Sequence, residues 1–389
     1  MAGFRTLFTG FFFWGSISLF GMTSSGKEQN KEDSSIIIGE SLCLSEGARL
    51  TLSGDLSILS SNLMDNNGQL RFCNSSDCKV SLSSGDLGKG EFIVAGSADC
   101  YLYSEGGGSR IGQLNMETEA GTLIVSGDLT VIDNLRLDNG IIRMSNQSNL
   151  LIESPDANAI AFNDGNSYVV GLLTRNVMPG ETYHYPVGGY SGFYPFLVDK
   201  PKLQDNITVS FDEKIAEDVR AQNSSQNVII EEGVGWKVQF QVEGQNTFYP
   251  GLFNPNQYAD DINIGYLPEG ASALTCLNVS QLSSYLRGAQ STGSGLYVLA
   301  SKLGVDFVNF IYINNQNKSV FEIPGASNFS IIRMKLFNRL GSIVFKSDNY
   351  LNEFDARNYP DGTYFYEMTL EKDTRNYVVR NFIEIKHEK

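Results

Sequence analysis

Histidine and cysteine are the side chains that most often carry acid–base, nucleophilic or metal chemistry, and here they are sparse. The chain holds two His, His184 and His387, and five Cys, Cys43, Cys73, Cys78, Cys100 and Cys276. A catalytic base needs a positioned partner. His184, in Tyr183-His184-Tyr185-Pro186, has no evident one and reads as structural, while His387 lies beside the C-terminus, where chains fray. Four of the cysteines fall within the first hundred residues. In an oxidising compartment they are candidates for disulfides, with Cys73 and Cys78 close enough for a local loop and Cys43–Cys100 as a second bridge. Four cysteines permit three pairings, and the sequence does not choose. With His nearly absent and no C-x-x-C pair, the usual zinc spacings are missing. Asp65-Asn66-Asn67-Gly68 and Asn163-Asp164-Gly165-Asn166 are like fragments of calcium loops but lack the full ligand series and its closing Glu. They read as Gly-rich turns, so no cofactor is expected and calcium is the one ion with any local pattern. No G-x-S-x-G, P-loop, H-E-x-x-H or G-x-G-x-x-G phrase occurs, so no catalytic residue is assigned.

The elements that would hold such residues are those of an exported β protein. Met1–Ser25 has one charge, Arg5, then an apolar core from Leu7 to about Phe20 and a small-residue exit, the layout of a secretory leader. The core is shorter than the ~20 residues that span a bilayer. The 389 residues suffice for two or three domains. A net charge of −15 excludes nucleic acid, whose phosphates need clustered Lys and Arg. Thirty-nine Gly and 11% aromatics fit an extracellular all-β chain rich in turns.

Over residues 36–198 short alternating apolar runs are broken by Gly, Asn, Asp and Ser. The phrase Ser-Gly-Asp-Leu recurs at 53, 84 and 126. Strand, Gly-Asp turn and strand at coil-like intervals predict stacked β units, in the favoured form a right-handed β-solenoid. Leu135, Leu137 and Ile141 would supply an inward row. The spacing is uneven, so a plain β-sandwich with similar hairpins stays open. Within this region, residues 167–198 are dense in aromatics and Gly. Their order of an alternating strand, G-x-L, a short loop, Y-x-x-P-V-G and a Y-x-P strand resembles a segment of large Bacteroidetes surface proteins. Residues 200–302 read as an immunoglobulin-like sandwich, with strands at Ile207–Phe211, Asn227–Glu231, Gly235–Val242, Ile262–Leu267 and Gly295–Ala300, and a helical turn at Gln281–Arg287.

Residues 306–389 hold the clearest pattern. Ile331–Phe337 is a strand with Ile332, Met334 and Leu336 on one face. Asn338-Arg339-Leu340-Gly341 is a turn, since Asn and Gly accept positive φ, and Ser342–Phe345 returns. Pro360-Asp361-Gly362 is a second turn. Thr363–Leu370 follows, with Tyr364, Tyr366, Met368 and Leu370 on one side, and Tyr377–Ile385 closes a small β-sandwich.

Four phrases in order resemble the gliding-motility-associated C-terminal domain, the type IX secretion sorting domain of Bacteroidetes. Phe337-Asn338-Arg339-Leu340-Gly341 is similar to the family's F-N-R-x-G, and Val344–Tyr350 to its V-Y-x-S-x-x-Y. Phe354-Asp355-Ala356 is similar to a degraded W-D-G, and Pro360–Tyr366 to P-D-G-T-Y-F-Y. The sorting motif is therefore carried by Phe337, Asn338, Arg339, Gly341, Pro360, Asp361, Gly362, Thr363, Tyr364 and Tyr366. The family's opening P-N-G-D-G-x-N-D loop is replaced by Asn314–Ser319, although Ile323-Pro324-Gly325 survives. The resemblance implies export across the outer membrane to the cell surface or medium. It also implies as partners the type IX translocon and an outer-membrane protein of the PorP/SprF type. Two classes of task compete for the rest of the chain. One is a non-enzymatic adhesion or structural protein, contacting surface glycans or other cell-surface proteins through Tyr183–Phe196. The other is a secreted polysaccharide-degrading enzyme on a solenoid scaffold, which the few basic residues of 36–151 weigh against.

Overall fold

A computed structural model describes residues 42–388 apart from short segments, the longest being 59–63, 216–227, 255–261, 303–309 and 314–318. Before residue 42 it describes only the backbones of four short strands. Arg5–Phe8, Phe11–Phe13 and Ser16–Phe20 run parallel to Ser35–Ile38, Leu42–Leu44 and Arg49–Ser53. The rest of the expected leader lies outside the described residues. The chain is all-β; its helical content among the described residues is two 3₁₀ turns, Ala326–Asn328 and Ala356–Asn358. It divides into two compact units. One comprises residues 1–213, 236–253 and 289–295, and the other comprises 214–235, 254–288 and 296–389.

The first unit is built on a β-solenoid. Leu56 pairs with Val80, Val80 with Leu102 and Leu102 with Val125, always in parallel register. A second row runs Leu50, Leu70, Phe92, Leu114, Leu135. A third runs Ile111, Val131, Ile152. Each coil thus has three strands, and all three rows are buried. Burying each such side chain is worth about 1.5–3 kcal/mol, which makes these rows the main source of the unit's stability.

The three coil faces explain the uneven repeat. The copy at 53 turns from the second row into the first, whereas those at 84 and 126 turn from the first row into the third. The last two copies are therefore two coils apart, and the first two are one coil and one strand apart. Gly54, Gly85 and Gly127 all have positive φ, which is why the phrase keeps its glycine. The solenoid replaces the sandwich alternative for this region. One position of the expected row changes: Leu135 and Leu137 face inward, but beyond them it is Ile142, not Ile141, that is buried. The chain rounds a corner at Gly140, φ +115, and the two-residue alternation restarts one residue later.

At a different corner Gly68 and Gly90 stack in successive coils. A Cβ on Gly90 would lie 2.3 Å from the Gly68 carbonyl oxygen, so the close approach of coils there requires glycine. The coil stack ends where Leu172–Val177 pairs antiparallel with Asp205–Asp212. Thr182–Tyr185, Phe196–Asp199 and Thr247–Phe253 then form an antiparallel sheet. Trp236 is fully buried in the same unit and donates its indole N–H to the Tyr194 carbonyl at 2.7 Å.

In the second unit Val228–Ile230 pairs with Gly295–Lys302, and Ile262–Pro268 pairs with Thr275–Leu277. Ile230, Leu274, Val298 and Ala300 form a small core. The helical turn expected at Gln281–Arg287 is instead a hairpin of Val279–Leu282 with Tyr285–Gly288. Residues 310–388 of this unit hold a five-stranded sheet.

Candidate functional site: the C-terminal sheet

The sheet's order is Phe310–Ile313, Arg375–His387, Gly362–Lys372, Ile331–Phe337, Ile343–Ser347. Only the first pairing is parallel. Strict alternation divides the strands into two faces. Ile332, Met334, Leu336, Tyr364, Tyr366, Met368, Leu370, Val379, Ile383 and Ile385 point inward. They are covered by a second layer in which Phe321 and Ala356 bond back to Phe354 and Ser319, the N–H groups donating at 3.0 and 2.8 Å. Tyr350 crosses beneath: its N–H donates to the Ile332 carbonyl at 2.6 Å and its hydroxyl to the Phe321 carbonyl. Burial pushes the Tyr350 and Tyr366 phenols well above their ordinary range, so both stay neutral core residues.

The sorting-motif residues divide by this geometry, and most of them build the fold. Asn338 closes the first turn: its side-chain oxygen accepts from the Leu340 and Ser342 N–H groups at 2.9 and 3.0 Å. Gly341 follows at φ +78. The Tyr364 hydroxyl donates to the Pro360 carbonyl at 3.0 Å, and the Tyr366 ring packs on Phe321 with centroids 5.4 Å apart. Asp361 accepts from the His387 backbone N–H at 2.9 Å and pairs with its ring at 2.6 Å. His387 is thus tied into the sheet, which corrects the expectation of a frayed end. That partnership holds the Asp361 carboxyl below its usual range. In the degraded third phrase Phe354 and Ala356 are buried, and Asp355 caps the 3₁₀ turn by accepting from the Arg357 N–H at 3.1 Å. Arg339, Pro360 and Thr363 are exposed, Phe337 is half-buried, and the replaced acidic loop at 314–318 lies outside the described residues.

The opposite face of the sheet is where sequence reasoning found nothing. Ile343 pairs with Phe337 beside a β-bulge, Phe337 with Phe365, and Phe365 with Phe382, one row across four strands. Phe310 and Tyr312 lie on the same face of the parallel edge strand, in register with Glu384 and Lys386, their rings stacked 6.4 Å apart. Ile343, Phe365, Phe382, Phe310 and Tyr312 are 55, 51, 43, 47 and 39% exposed. Beside this row runs a charged one, in which Glu367 pairs with Lys335 at 3.4 Å and Arg380 at 2.9 Å. A contiguous apolar strip of this kind is the usual mark of an interaction surface. The signal was present in the outward positions of the alternation, which carry aromatics where a solvated sheet face carries polar groups.

Within Tyr183–Phe196, Tyr183, Tyr185, Val187 and Phe196 are buried, Phe193 and Tyr194 are half-buried, and Tyr190 stands far out under the Arg143 guanidinium. In the calcium-like segments, Asn66 is buried at a coil corner and accepts from the Gly68 N–H at 3.1 Å, and Asn163 donates to the Asp138 carbonyl at 2.6 Å. Asp164 lies outside the described residues. Among the described residues no three His, Cys, Asp or Glu side chains gather as a metal site. The His184 carbonyl accepts from Arg175, and the ring lies 5.8 Å from Phe162. Arg71, Arg110 and Arg136 are engaged one to one with Glu117, Glu153 and Asp138. Cys78 and Cys100 face each other inside the solenoid, whereas Cys73 is exposed and Cys43 and Cys276 are half-buried.

Arg175 was not foreseen. It extends the inward column Ile111, Val131, Ile152 and is wholly buried. Its guanidinium donates to the carbonyls of His184 at 2.8 Å, Asp156 at 2.9 Å and Ala157 at 3.0 Å. The Tyr183 ring lies 4.9 Å away. Desolvation pushes its pKa down.

Residues 305–385 match the family model of the CHU_C type IX secretion signal domain. No curated protein and no solved structure matches the chain.

Proposed function

We propose, from the type IX secretion sorting domain at the C-terminus as premise, a non-enzymatic adhesion or structural protein displayed by means of that domain. The domain marks the chain for the cell surface or the extracellular space and engages the type IX translocon. The family match over residues 305–385, with the motif residues building its turns and core, carries this reading. In it, residues 1–25 are a leader removed on export. Residues 36–198 are the solenoid body, 200–302 are an immunoglobulin-like sandwich, and 306–389 are the sorting sandwich. The row of exposed Ile343, Phe365 and Phe382 with half-buried Phe337, and Phe310 on the same face, is the surface offered to the secretion machinery, and an outer-membrane protein of the PorP/SprF type is the partner that retains the chain. The pairing of Arg71, Arg110 and Arg136 with carboxylates supports a non-catalytic body.

The test is truncation after Ala300 in a host with a working type IX system. The shortened protein is expected in the periplasm and the full chain on the surface or in the medium. Surface delivery of the truncated form would sink the proposal.

A further inference from the structure

Cys78 and Cys100 are cross-strand partners in successive coils of the solenoid, with five residue pairs in unbroken parallel register around them. Both side chains face inward, 1 and 2% exposed, and their sulfurs are 3.1 Å apart. Register neighbours in a sheet lie within the ~4.4–6.8 Å Cα separation that a disulfide accepts. Cys73 projects outward from its strand opposite Ala95, and Cys43 is paired in register with Asp65. From this juxtaposition we infer that Cys78 and Cys100 are joined by a disulfide in the exported protein, clamping one coil to the next.

The inference rests on export into an oxidising compartment. The oxidant is a protein disulfide of the thiol-oxidising class found there. One cysteine thiolate attacks a sulfur of that disulfide and releases the oxidant's first thiol. The second cysteine thiolate attacks the mixed disulfide and releases the oxidant's other sulfur. Two protons leave the cysteines, two electrons pass to the oxidant, and the S–S bond closes. Both sulfurs are buried once the coils are stacked, and the neighbouring Cys78 thiol together with burial raises the Cys100 thiol above its ordinary range. The exchange therefore belongs to the chain before these coils close.

Peptide mapping reads the pairing directly. The full chain, refolded with oxidised glutathione, is alkylated in denaturant without reductant and cut with trypsin and an Asp-directed protease. These separate Phe72–Ser76, Asp77–Lys79 and Asp99–Arg110. The expected product is Asp77–Lys79 linked to Asp99–Arg110, absent after reduction and absent from Cys78→Ala. Reductant should lower the melting temperature of the wild type and leave the Cys78→Ala/Cys100→Ala variant unmoved. Alkylated Cys78 and Cys100 in the refolded protein, or a link to Phe72–Ser76, would overturn the assignment. The same map on protein recovered from the medium separates this outcome from a failure of export: a linked refolded chain that never leaves the cell would refute the sorting proposal and leave the pairing intact.

Discussion

Arg175→Met tests what holds the end of the solenoid. Methionine continues the aliphatic column Ile111, Val131, Ile152 and removes the cost of a buried cation, which is several kcal/mol. It also strips the donors from three carbonyls, those of Asp156, Ala157 and His184. A hydrogen bond from a charged group is worth about 1.5–3 kcal/mol, so losing three removes about 5–9 kcal/mol. The cation–π contact with Tyr183 adds about 0.5–2 kcal/mol. Loss outweighs relief, and a net destabilisation of about 2–4 kcal/mol is expected. Arg175→Lys should fare little better, because one ammonium cannot reproduce the planar fork that reaches carbonyls on two separate segments. Trp236, buried in the same unit, reports the transition by fluorescence in urea. A methionine variant as stable as the wild type would show that the tyrosines and apolar packing hold this end, with the guanidinium merely tolerated.

Gly90→Ala should destabilise the first unit by about 2–4 kcal/mol, from overpacking against the Gly68 backbone and the loss of bonds between coils. Urea melts give the sign, and any stabilisation would contradict the close approach described above. Asp355 is held below its usual range, first by its hydrogen bonds from Arg357 and then by one from Ser319. Its contribution is therefore complete above the unfolded carboxyl value of about 3.9 and disappears as pH falls through the lower folded value. Acid melts of Asp355→Asn should show a flatter pH dependence below about pH 4 than the wild type. Phe365→Ser/Phe382→Ser should leave melting nearly unchanged, since both rings are exposed, yet reduce export in a cell-fractionation assay. Tyr366→Ser, which empties the core, should lose about 3–5 kcal/mol.

Much of this was legible in the sequence because it is local. The turns at Asn338–Gly341 and Pro360–Gly362 are written in residues whose backbone preferences act over four positions. The strand Ile331–Phe337 came out with the expected bounds because its alternation is unbroken. The solenoid was legible through its Ser-Gly-Asp-Leu corners, but the coil length was not, since the copies occupy two different corners. What escaped depends on partners far along the chain. Arg175 looks like a surface residue until three carbonyls from other segments close on it. Cys78 and Cys100 are 22 residues apart and meet only through the register. The Phe365 row is spread over four strands and becomes a row only when they are aligned. His387 reads as a fraying end because the partner that fixes it, Asp361, precedes it by 26 residues.

The in-register coils also make the solenoid's length a matter of counting. Leu114 sits directly above Phe92 in the same row. Excising Phe92–Gln113 as one block would seat Leu114 where Phe92 had been, and every inward row would close again with the same parity. Excising half as many residues would leave the corners out of phase. Reach is therefore quantised: insertions and deletions of whole coils change it in steps of about 4.8 Å without redesigning a core. A gene of this kind works as an adjustable ruler, edited in units of a single turn of chain.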